Sequence, residues 1–258
     1  MRITFDQLTY ASRCCHDICP YLALIFEWAA KREHVALYLH DLPSLLKAYS
    51  ERATQIHPTN PNAVLFDPYP GVRLATACEG LAHCVYAMAE IAASVGNKAS
   101  KGIIPSSFNQ LCSKVRSGKL DNELTKQLPD LDWYARVREL RTEWCHHSSI
   151  FIGRDGGDPI LCVNCYRRPG DQVIFKGRLQ IRPTELMNWS ERATLAIDGF
   201  GSAIFYQFIL PKMPLDAMIF CPSIDHLGFP KMTADGRLIG ERIPLRQYLS
   251  RGGIDVPA

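Results

Sequence analysis

Residues 129–149, PDLDWYARVRELRTEWCHHSS, read as one amphipathic helix that runs into two histidines. Trp133, Val137, Leu140 and Trp144 recur at spacings of four, three and four. That period predicts a helix of about five turns with one buried stripe. A stripe of this kind needs apolar partners, and the flanking sequence supplies them. Over residues 71–96, Leu74, Cys78, Leu81, Val85, Met88, Ile91 and Ala92 repeat at three and four, with Gly96 and the polar NKAS expected to close the helix. SSFNQLCSKVRSG (106–118) reads as a short helix starting from a serine cap. Residues 5–57 read as two or three helices broken near Pro20 and Pro43. The four prolines of HPTNPNAVLFDPYP (57–70) predict a loop.

Beyond Ser149 the period changes. IFIGRDGGDPILCVNCYRR (150–168) and DQVIFKGRLQI (171–181) are β-rich runs separated by turn residues, a hairpin or meander. Helix returns at Pro183, expected in the first turn, and stops at Pro211, with Leu186, Trp189, Ala193, Ile197, Phe200, Ile204 and Phe208 on its buried face. The sum is a mainly α fold: residues 1–210 form a bundle of four to six helices, with a β-hairpin at about 150–181 inserted before the last long helix. Residues 211–258, with many prolines and glycines, are expected to be an irregular C-terminal appendage.

Composition sets the outer bounds. The chain has 258 residues, 47% hydrophobic and 21% charged, with 29 Lys+Arg against 26 Asp+Glu. A chain so rich in apolar residues folds, and its length suits one large domain. Glu27 and Asp198 interrupt the longest apolar stretches, which favours core helices over membrane spans. The polar start MRITFDQLTY lacks the pattern of a secretory signal, so the expected location is cytoplasmic. Ten cysteines in a reducing compartment read as small core hydrophobes. Only Cys162 and Cys165 have ligand spacing, and Cys145, His146 and His147 are the groups that would complete a zinc site. The alternating strand around that pair argues for packing instead, and no metal or cofactor is expected.

Phosphate loops, GxSxG, HExxH and a complete GxGxxG are missing from the sequence. Glu139 and Glu143 fit a solvated helix face with Arg136 and Arg138. The chemistry-bearing group is Arg141 with His146 and His147. Arginine binds and stabilises anions through its planar fork, and histidine moves protons near neutral pH. Together they suit metal-free cleavage of RNA, with an imidazole activating the 2′-hydroxyl or protonating the leaving oxygen while Arg141 stabilises the phosphorane. On an ideal helix His146 points about 140° from Arg141, and His147 about 120°. A shared site then requires the helix to loosen at its end, or a two-fold dimer that pools the motifs of two copies. The plainer reading is that Arg141 pairs with a carboxylate and the histidines complement the helix dipole.

The surroundings are basic. From Arg136 to Arg182 nine Lys/Arg stand against five Asp/Glu, a net of +4, leaving −1 for the rest of the chain. Arg138, Arg154, Arg167, Arg168, Lys176 and Arg178, with Arg182, would give the hairpin a patch that tracks a nucleic-acid backbone. An ordinary soluble hairpin with charged outer positions reads the same way.

At this point residues 1–210 resemble the HEPN superfamily, the higher eukaryote and prokaryote nucleotide-binding group. The resemblance rests on the 71–96 helix, SFNQLCSKVRSG, the apolar 184–210 helix and, above all, WYARVRELRTEWCHHSS. The family motif is an Arg followed, after four to six residues, by a His. Arg141 with His146 has four between and Arg141 with His147 has five. Thr142 stands where the family often carries Asn, Asp or His. The resemblance implies a homodimer whose paired motifs line a cleft, and a metal-independent endoribonuclease acting on RNA, often a toxin or antiviral-defence effector with a partner protein or antitoxin. It equally implies a second role, as a catalytically inactive subunit that binds a protein or nucleotide.

Overall fold

Trp28, Val35, Leu42 and Tyr49 recur every seven residues along the first helix, α1 (Leu22–Arg52), and each is nearly wholly buried. A seven-residue repeat almost closes two turns, so it draws a narrow seam rather than a broad face. Pro43 does not break this helix, contrary to expectation. It lies on the exposed side, where the carbonyl four residues back meets water, and buried Leu42 beside it holds the segment in the packing. These observations come from a computed structural model, which describes residues 22–52, 54–57, 60–66, 68–120, 124, 128, 131–146, 150–155, 158–163, 179–223, 225, 229–251 and 253–256. The expected helix before Leu22 and the break near Pro20 lie outside the described residues.

The stretch expected to be a loop is instead a hairpin, β1 (Thr54–His57) against β2 (Asn60–Phe66). Its prolines fit because Pro61 falls where the register slips between Ile56 and His57, a bulge that needs no ladder donor. Helix α2 follows (Pro68–Ala99), with Leu74, Cys78, Leu81, Val85, Met88 and Ala92 buried as the spacing predicts. The two long helices approach closely. A methyl at Gly80 would lie 2.4 Å from the Tyr38 ring, and one at Gly71 3.4 Å from that of Tyr49.

Gly96 does not end α2. A Cβ there would sit 2.9 Å from Ile204 and 3.1 Å from Ile104, so the glycine makes room for packing and the helix runs on three residues. It stops where Lys101 takes φ +53° and Gly102 φ +92°. There the Gly102 amide donates to the Asn97 carbonyl at 2.9 Å and that of Lys101 to Lys98 at 3.3 Å, the paired bonds of a Schellman closure. Helix α3 (Phe108–Arg116) begins after Ser107 as expected, although the serine hydroxyl makes no capping bond.

Helix α4 (Asp132–His146) is the helix with which the sequence reading began. A three-stranded antiparallel meander follows, in the order β3 (Ile150–Asp155), β4 (Asp158–Val163), β5 (Leu179–Ile181). Helix α5 (Pro183–Ile204) continues through a π turn (Phe205–Ile209) into a short 3₁₀ segment (Leu210–Lys212). The π turn adds a residue to the local repeat, so Phe205 and Ile209 are buried and Phe208 is not. Trp189 is likewise only half-buried. By length and composition Pro183–Lys212 would suit a membrane crossing, a test that core helices also pass; 56% of its most apolar window is buried by the protein itself.

Residues 211–258 are more regular than expected: β6 (Met218–Pro222) pairs with β7 (Gly240–Pro244), and helix α6 (Leu245–Arg251) buries Leu245 and Leu249. The protein is thus mainly helical, with six α-helices among the described residues and three small antiparallel sheets. The chain divides into two compact units, Trp28–Ala92 with Leu128–Ile197, and Met1–Glu27 with Ala93–Gln127 and Asp198–Ala258.

Candidate functional site

Helix α4 buries Trp133, Tyr134, Val137 and Leu140 and leaves Ala135, Arg136, Arg138 and Glu139 exposed. Asp132 stands in its first turn, where a carboxylate complements the helix dipole. On the outer face Arg136 and Glu139 form a solvated pair at 3.5 Å, as the spacing predicts. Burial of the inner stripe fixes the rotation of the helix, and that rotation leaves Arg141 half-buried at its edge.

Arg141 rests on an aromatic shelf. Its Cζ lies 5.2 Å from the centroid of Tyr86, which is carried by α2. The Tyr86 ring in turn stacks on that of Tyr134, with centroids 5.9 Å apart and planes 13° from parallel. Trp133 meets Tyr134 edge-on at 5.8 Å. The Tyr134 hydroxyl donates to Glu90 Oε1 at 2.6 Å, which anchors the far end of the ladder. A guanidinium laid over a ring keeps its N–H donors in plane and directed outward, a fit for carboxylate or phosphate.

No carboxylate takes up that capacity among the described residues. Arg141 Nε is buried without a hydrogen-bond acceptor. The plainer expectation, a structural ion pair for Arg141, therefore finds no support among the described residues.

His146 is the last residue of α4, and the backbone is helical up to it. The loosening that would swing it toward Arg141 does not occur before that point, so the two remain about 140° apart around the axis. The side chains of Trp144, Cys145 and His146 lie outside the described residues, as does His147 altogether. The same holds for Arg167, Arg168, Lys176, Arg178 and Cys165, and for the side chains of Arg154 and Cys162. Of the expected basic patch, Arg138 is exposed and Arg182 forms a surface pair with Asp158 at 3.7 Å. Among the described residues no group of three His, Cys, Asp or Glu is placed to hold a metal.

Tyr86, Tyr134 and Glu90 escaped the sequence reading. Their signal was nonetheless present: Tyr86 and Glu90 interrupt the Leu/Ala/Cys lining of α2 at a spacing of four. His83, exposed and one turn before Tyr86, belongs to the same stripe. Tyr134 stands nearer the start of α4 and meets Glu90, while Arg141 stands later and meets Tyr86, so the two helices run antiparallel here. His83 therefore lies toward the Arg141 end of the ladder. Compared with family models, curated proteins and solved structures, the chain finds no match.

Proposed function

We propose that the protein is a metal-independent endoribonuclease of HEPN type, in which Arg141 binds the scissile phosphate. The observation that carries this reading is the guanidinium itself: oriented by Tyr86, half-buried, and given no carboxylate among the described residues. An anion arriving there would meet donors already aligned, which is how charge in a phosphorane is stabilised without reorganisation. The proton-transfer role falls to His146, with His147 as alternate or helper, contributed across the axis of a homodimer. Toxin or defence activity on RNA, in the cytoplasm and under a partner's control, is the setting that goes with this chemistry.

The helical course of α4 to His146 favours a second reading, a catalytically silent HEPN-like subunit in which Arg141 binds a nucleotide or an acidic partner group. Incubation with labelled RNA in EDTA separates the two. Cleavage by the native chain, abolished in Arg141→Ala and in the double variant His146→Ala/His147→Ala, is the expected result. Cleavage that survives the double variant but not His83→Ala moves the imidazole onto α2. RNA left intact by the native chain, or cleaved equally by Arg141→Ala, ends the ribonuclease proposal.

A further inference from the structure

β6 and β7 are the base of a longer ribbon. Past them the Ser223 amide donates to the Ile239 carbonyl at 2.8 Å, the Ile239 amide donates to Lys231 at 2.9 Å, and Met232 bridges Leu238. The tip closes through Thr233, whose amide donates to Arg237 at 2.8 Å, and through Gly236 at φ +82°. Side chains alternate across such a ribbon, so cross-strand partners share a face. The register places Met218 with Pro244, Phe220 with Arg242, Pro222 with Gly240 and Met232 with Leu238 on one face. The opposite face carries Ile219 and Ile243, and Ile243 is buried.

The first face is apolar and uncovered. Met218 is 58% exposed, Phe220 45%, Met232 59% and Leu238 48%. Together these leave about 400 Å² of apolar surface, as large as the main patch of an ordinary monomer and usually a sign of binding. One charge stands among them. Arg237 pairs with Asp235 at 3.0 Å, Arg246 with Asp216 at 3.8 Å, and Arg251 with Glu241. Arg242 is exposed and has no carboxylate among the described residues, and no acidic residue shares its face.

We infer that this face docks an acidic, apolar segment of a partner protein, which lays alkyl or aryl side chains over Met218, Phe220, Met232 and Leu238 and presents a carboxylate to Arg242. Charge selects this occupant. A second copy laid on the face brings another Arg242 and no acid. A nucleic-acid strand requires several cations along its phosphates, and this face has one. An apolar segment with one carboxylate matches both features, and the inference is independent of the ribonuclease reading.

The test uses the full chain and a fluorescent peptide of about ten residues, with Leu at alternate positions and one central Glu on the same side. Saturable binding is expected, weakened about tenfold or more by Arg242→Glu and by Met232→Ser. A Lys-for-Glu peptide should reverse the preference and bind Arg242→Glu better than the native chain. Phe220 is left in place because its ring lies 2.6 Å from where a Cβ of Gly240 would stand and so packs the ribbon itself. Equal affinity in all variants, or no binding by the native chain, overturns the inference. So does a dimer seen by light scattering that Met232→Ser dissolves, or a single-stranded RNA probe that binds and is lost with Arg242→Glu.

Discussion

Replacing Arg141 with Met tests whether this arginine is held for an external anion or for the fold. The substitution keeps an unbranched stem of similar length and removes the guanidinium. Two opposing effects follow from the geometry. The cation–π contact at 5.2 Å on a half-buried site is worth about 0.5–2 kcal/mol and is lost. The Nε–H, buried without an acceptor, penalises the native state by about 1–3 kcal/mol, and that penalty is relieved. The net change is within about 1 kcal/mol of zero. An arginine in a buried ion pair behaves differently, because its removal strands a carboxylate and costs about 3–5 kcal/mol. Urea unfolding followed by circular dichroism and tryptophan fluorescence measures the difference. A double-mutant cycle with Tyr86→Leu should give a coupling of about 0.5–2 kcal/mol. Destabilisation above about 3 kcal/mol would show that a hidden carboxylate holds Arg141. A coupling below about 0.3 kcal/mol would show that the guanidinium does not rest on Tyr86.

Two further outcomes concern the core. Gly96→Leu should destabilise by about 1–3 kcal/mol in the same unfolding assay despite leucine's better helix propensity, because Ile104 and Ile204 occupy the space; unchanged stability refutes the packing role. Burial pushes the Cys78 thiol up to about 12, so it should resist a disulfide reagent at pH 8 until urea unfolds the chain. Because its folded pKa lies above the unfolded value near 8.5, its contribution to stability is intact below about pH 8.5 and declines as pH rises toward about 12. The slope approaches about 1.4 kcal/mol per pH unit for this thiol. Cys78→Ala should flatten it, and an unaltered slope would assign the loss to other groups.

The helices that were legible in the sequence are those whose burial follows one broad period. Trp133, Val137 and Leu140 placed α4, and the repeat from Leu74 to Ala92 placed α2, because side-chain spacing there reports the buried face directly. Helix α1 was misread at Pro43 because local propensity argued for a break, whereas the seam of Trp28, Val35, Leu42 and Tyr49 acts over the whole length of the helix. A proline-dense stretch concealed β2 because a bulge in a two-stranded sheet can absorb a residue without an amide. The candidate site was half visible. Arg141 stood out by its neighbours in sequence, but the shelf beneath it comes from Tyr86 on another helix, some fifty-five positions away in the chain. No local pattern encodes such a pairing; the packing of α2 against α4 creates it.

The π turn at Phe205–Ile209 gives the C-terminal ribbon an unusual sensitivity to chain length. A regular α-turn would hold the same carbonyls with one residue fewer. Deleting any one residue between Phe205 and Ile209 would leave Phe200 and Ile204 seated while everything that follows rotates by about 100° and shifts by about 1.5 Å. The face with Phe220 and Arg242 would then aim in a new direction with its own composition untouched. Insertions and deletions, rather than substitutions, are the changes by which such a surface would acquire or lose its partner.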